Sequence, residues 1–98
     1  MTIGVLELHL HTPWINTLQE KRLLVKHIVE RVQHRFAASG SEIGDFQELH
    51  KLTLGFACVA GYPGMEHTVL DRIYQYIKEN TDAEFLDVLR QSFDTSAS

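Results

Sequence analysis

Residues 17–36 read TLQEKRLLVKHIVERVQHRF, and their spacing decides the fold. At 100° per residue Leu18, Leu24, Val25, Ile28, Val29, Val32 and Phe36 fall on one arc, the stripe of a helix lying on a core. Leu23 falls outside it. Thr17 followed three residues later by Glu20 is a capping box, so the helix begins near Leu18. A second stretch of the same kind, MEHTVLDRIYQYIKE at residues 65–79, puts Met65, Val69, Leu70, Ile73, Tyr76 and Ile77 on its apolar arc. Asn80 can stop that helix by turning left-handed.

Strand-like runs flank both helices. From Ile3 to Leu10 the residues alternate, Leu6, Leu8 and Leu10 on one side and Val5, Glu7 and His9 on the other. Thr12 and Pro13 end the run. Leu52, Leu54, Phe56, Cys58 and Ala60 alternate with Thr53, Gly55, Ala57 and Val59, which suits a central strand with one bulky and one small-residue face. Residues 37–46 are weaker, since Gly40 and Gly44 interrupt them and only Ile43 and Phe46 bring bulk, so an edge strand is expected there. Gly61, Pro63 and Gly64 make a turn, and residues 84–93 supply a last strand through Leu86, Val88, Leu89 and Phe93.

The order is βαββαβ, an α+β sandwich in which right-handed crossovers place both helices on one face of a four-stranded antiparallel sheet. The other face is left open. It should carry Val5, Glu7, His9, Thr53, Gly55, Ala57 and Val59, and a second copy of the chain is the expected cover. With 98 residues the chain accommodates one core, taken to span residues 1–93, with a frayed polar tail at 94–98.

The residues at the strand ends and helix start resemble the uncharacterised bacterial YlxP-like family of small ferredoxin-like domains. Ile3 and Gly4 open the first strand and His11, Thr12 and Pro13 close it, as in that family. Its Ser-Leu-Lys-x-Lys-Arg step is similar to Thr17 through Arg22, with Gln19 departing from it. Arg35 with Phe36, Glu42, and Leu54 with Gly55 and Ala57 extend the likeness, while Ala38 to Ser41 replace a valine-rich second strand. The resemblance implies the ferredoxin-like fold. It implies no agreed activity, but genes of the family often lie near those for translation and ribosome maturation, so contact with RNA or a ribosomal particle is the expectation it carries.

Charge distribution offers a surface for such contact. Five basic and two acidic side chains give the first helix plus three, and the remaining four basic and eleven acidic give minus seven. A basic surface on an acidic protein attracts phosphate over a Debye length of about 8–10 Å while the rest repels it. The candidate contacts are Lys21, Arg22, Lys26, Arg31 and Arg35, with Trp14 in the preceding loop as a base-stacking residue or a lid on the core. The plainer alternative is a helix flank whose cations stay wet while their methylenes cover the core edge. The sheet is a poor base reader, because its central open-face positions include no aromatic residue.

Other chemistries find little support. His9 and His11 stand about 7 Å apart on one strand face and could begin a metal site, but the neighbouring strand offers no third ligand. His27 and His34 sit on the solvated side of the helix, and Asp82, Glu84 and Asp87 are ordinary exposed carboxylates. Cys58, the single cysteine, sits in an apolar run with no cation to lower its pKa, and reads as a core residue. No cofactor or catalytic set is implied. The longest apolar run, residues 52–60, is under half the roughly 20 residues of a membrane helix. No hydrophobic leader opens the sequence, so a cytoplasmic location is expected.

Overall fold

A computed structural model describes residues 1–95. The elements are β1 (Thr2–His11), α1 (Leu18–Arg35), β2 (Ala38–Gly44), β3 (Lys51–Ala60), α2 (Met65–Asn80) and β4 (Glu84–Asp94). They build one antiparallel sheet in the order β2-β3-β1-β4, the ferredoxin-like α+β arrangement.

Alternation sets the two faces. Leu6, Leu8 and Leu10 of β1 and Leu52, Leu54 and Phe56 of β3 are fully buried, and their register places Leu6 opposite Phe56, Leu8 opposite Leu54 and Leu10 opposite Leu52. Ile28 and Val32 of α1 and Leu70, Ile73 and Ile77 of α2 close on this block from one side. Leu24, Val25, Val29 and Phe36 are half-buried against it, and Leu23 is exposed, as the wheel predicts.

Helix starts follow local chemistry with two departures. The Thr17 hydroxyl accepts from the Glu20 N–H, and the Glu20 carboxylate accepts in return from Asn16, one residue earlier than a standard capping box. In α2, Met65 does not join the core; Glu66, not singled out by the hydrophobic pattern, is buried instead. Its carboxylate accepts from the Gly64 N–H at 2.7 Å and the Thr2 hydroxyl at 3.2 Å, tying the helix start to β1. Gly64 itself stands at φ 98°, where a side chain would strain the turn. The end of α2 also differs from expectation. Asn80 is not left-handed; its side-chain amide donates to the Tyr76 carbonyl, and Thr81 leaves the helix in extended conformation.

At the sheet edges, β2 is shorter than β4 and bulges around Ile43, and Phe46 lies in the turn beyond it. The ordered chain runs past the boundary expected at residue 93. Asp94 ends β4 opposite Thr2, and the Thr95 N–H donates to the Met1 carbonyl because the long β1 gives it a partner; the rest of the tail, 96–98, lies outside the described residues.

Cys58 is buried beneath β3, where burial pushes its thiol pKa up, a Gly4 backbone hydrogen bond opposes that, and the Glu66 charge adds to the rise. For Glu66, burial also pulls upward. Its own backbone N–H, Gly64, Thr2 and the neighbouring His67 outweigh that and hold its carboxyl below the usual range.

Two outcomes are expected. A Cβ at Gly40 would stand 2.4 Å from the Phe56 ring, so Gly40→Ala lowers stability by about 1–3 kcal/mol in a denaturant titration. A depressed Glu66 pKa gives stability that is complete above the ordinary carboxylate value of about 4.3 and lost as pH falls through the folded value. Glu66→Gln therefore flattens the acid limb of a stability-versus-pH curve, which thermal melts between neutral pH and strong acid would record.

Candidate nucleic-acid interface

The five cations of α1 do not form one surface. Lys21, read as a phosphate contact, is 1% exposed and points inward. Its ammonium donates to the Asp45 carbonyl and lies 3.2 Å from Glu42 Oε2, within ion-pair distance although the approach angle is not that of a hydrogen bond. The reason is positional. One turn into α1, the helix passes over the β2–β3 connection, whose Asp45 sits at φ 54° with its carbonyl turned toward the helix. Lys21 is thus a structural pin, and this corrects its place among the candidate contacts.

The remaining four divide between two grooves. Arg22 and Lys26 line a groove of about 340 Å³ between α1 and β2, with Val25, Val29 and Glu42. Lys26 is 4.0 Å from Glu30, one turn on, a weak exposed pair. Arg31 and Arg35 line the opposite side, an open cleft of about 520 Å³ shared with Glu30, His34 and Tyr76. There the Arg35 guanidinium lies 5.0 Å from the centre of the Tyr76 ring, and Phe36 meets that ring edge-on at 5.7 Å.

Helix α2 adds a cation that the α1 charge count did not include. Arg72 lines an adjoining hollow with Arg35, Gln75, Tyr76 and Glu79. Its spacing from Tyr76, one helical turn, was the available signal. Among the described residues, Arg22, Arg31 and Arg72 have no carboxylate within ion-pair distance. Trp14 is 42% exposed in the β1–α1 turn, while the neighbouring Ile15 is buried.

The open sheet face holds Val5, Glu7, His9, Thr53 and Ala57 as the strand pattern predicts. Glu7 and His9 are paired at 2.6 Å, His9 Nδ1 is 3.4 Å from the Thr53 hydroxyl, and that hydroxyl donates to Asp45 at 2.7 Å. His11 instead turns to Glu84, at 3.4 Å. The two histidines are therefore each committed to a different carboxylate, and no group of three or more metal-binding side chains occurs among the described residues.

Residues 3–90 match the family model DUF503, described as a protein of unknown function. The chain belongs to this family. No curated protein matches the sequence. The match covers every element from β1 into β4, so the architecture and both grooves fall within the matched span. No helix among the described residues is long and apolar enough to cross a membrane.

Removing the buried pin should cost more than removing any other cation of α1. Lys21→Ala leaves the Glu42 carboxylate and the Asp45 carbonyl without their partner, and a loss of about 3–5 kcal/mol is expected. Arg22→Ala, on the same helix and exposed, should change stability by less than about 0.5 kcal/mol. Urea midpoints of the two variants make the comparison.

Proposed function

We propose that this is a non-enzymatic cytoplasmic binding module that contacts structured RNA, or the RNA of a ribosomal particle, through its helix layer. The observation that carries the reading is the pair of adjoining hollows that share Tyr76, one lined by Arg31 and Arg35 and the other by Arg35 and Arg72, with the Arg35 guanidinium over the Tyr76 ring between them. Phosphate recognition needs cations that are not already neutralised, and Arg31 and Arg72 meet that condition. The carboxylates at the rim, Glu30 and Glu79, limit the attraction to ligands that bring the arginines several phosphates at once.

The likeness to the YlxP-like family supports the same reading through its gene neighbourhood. The binding mode is then one of shape and backbone. Arginines on two helices reach phosphates along an RNA groove, and the sheet contributes no central aromatic on which bases could stack. Arg22 and Lys26, on the far side of α1, extend the contact only for an RNA broad enough to straddle the helix.

Titration of ribosomal RNA fragments at several salt concentrations tests the proposal. Replacing Arg31, Arg35 and Arg72 together with Ala should weaken binding and reduce the slope of log K against log salt by about 2–3. Replacing Arg22 and Lys26 should have a smaller effect. Binding of the triple variant equal to that of the parent chain, with an unchanged slope, would remove the cleft from the interface.

A further inference from the structure

The sheet face turned away from the helices carries more apolar surface than a solvated face requires. Val59 is 62% exposed, Phe93 48% and Leu89 47%, and they belong to β3 and β4, the two strands that flank β1, rather than to scattered sites. Strand pairing gathers them: Ile3 stands between Val59 and Phe93, Val5 beside Ala57, and Leu89 opposite Glu7. Gly55 lets Ile43 of the edge strand lie down over the sheet, since a Cβ there would meet the Ile43 side chain at 3.0 Å. The result is a smooth surface with an apolar end and a polar end.

The polar groups around His9 on this face are already satisfied within the chain. Glu7 holds His9, His9 reaches Thr53, Thr53 donates to Asp45, and His11 faces Glu84. Covering them leaves no new orphaned donor or acceptor, which is the usual obstacle to burying charged side chains. Beyond these, the face carries the neutral Gln91 and Ser39 on either side of its centre, and Lys51 and Asp87, of opposite charge, both beside His9 and neither in an ion pair among the described residues.

We propose that two copies of this chain pair through these open sheet faces. Four strands at about 4.8 Å and ten residues at about 3.3 Å give a footprint of about 19 by 33 Å, and the corrugated side-chain surface exceeds that projection. This approaches the roughly 800 Å² per partner of a specific interface. A two-fold axis parallel to the strands lays β1 over the partner's β3 and apolar end on apolar end. It also sets Lys51 of each copy beside the partner's Asp87, so the face is complementary to itself in charge as well as in shape. Such pairing is compatible with RNA contact, because the Tyr76 cleft stays on the outer helix layer, and it is independent of that reading.

Sedimentation equilibrium of the full chain from micromolar to millimolar concentration tests the pairing. The parent chain should form a dimer. Val59→Ser and Leu89→Ser remove exposed apolar area twice per dimer, and each should raise the dissociation constant about 10-fold, with Val59→Glu and Leu89→Glu raising it about 100-fold or more. Leu23→Ser, on the outer side of α1, should leave it unchanged. Far-UV circular dichroism and melts of the dissociated variants establish that they remain folded. A parent chain that stays monomeric over the whole range, or a dimer indifferent to the serine and glutamate substitutions on the sheet, would overturn the proposal.

Discussion

The antiparallel register of β1 against β3 is the constraint on which the molecule depends. It puts three leucines of the first strand directly across from Leu52, Leu54 and Phe56 of the third, so that one face of the two central strands is a continuous apolar block. A slip of one residue would turn that block to the other side and present Glu7, His9 and Thr53 to the helices. Burial at roughly 25 cal/mol per Å² of apolar area makes such a slip prohibitive. Because β1 lies in the middle of the order, its register also sets that of β4, and β3 sets that of β2.

The helices ride on this block and are held in azimuth by two polar contacts. At α1 it is Lys21, reaching down to Glu42 and the Asp45 carbonyl. At α2 it is Glu66, which accepts from the turn ahead of its own helix and from Thr2 on β1. Both are buried charged side chains in the first or second turn of a helix, and both join that helix to a distant part of the sheet. Lys21 also links to the open face, because the residue whose carbonyl it grips, Asp45, receives the Thr53 hydroxyl through its carboxylate, and Thr53 touches His9. The two surfaces of the domain thus meet at one residue of the β2–β3 connection.

Much of the architecture was legible because it rests on periodicity. Leu23 outside the α1 stripe, Cys58 inside β3 and the glycine-interrupted edge strand are consequences of side-chain direction and backbone freedom, which repeat locally. The charged residues were less legible. Lys21 lies near the apolar arc, and whether a lysine there snorkels outward or turns inward depends on an acceptor waiting beneath it. Glu42 and Asp45 are that acceptor, and they are more than twenty residues away along the chain. Arg72 was missed for a related reason: a tally taken helix by helix does not see that two helices lean together around Tyr76.

The sequence by itself determined the element order, the one-sided core and the identity of the open face, because helical and strand periods are properties of neighbouring residues. Tertiary structure alone decided which cations are free, which carboxylates are committed and where the exposed apolar side chains gather. Those depend on distances between residues remote in sequence, and electrostatic and packing energies fall off over a few ångströms of space rather than over positions in the chain.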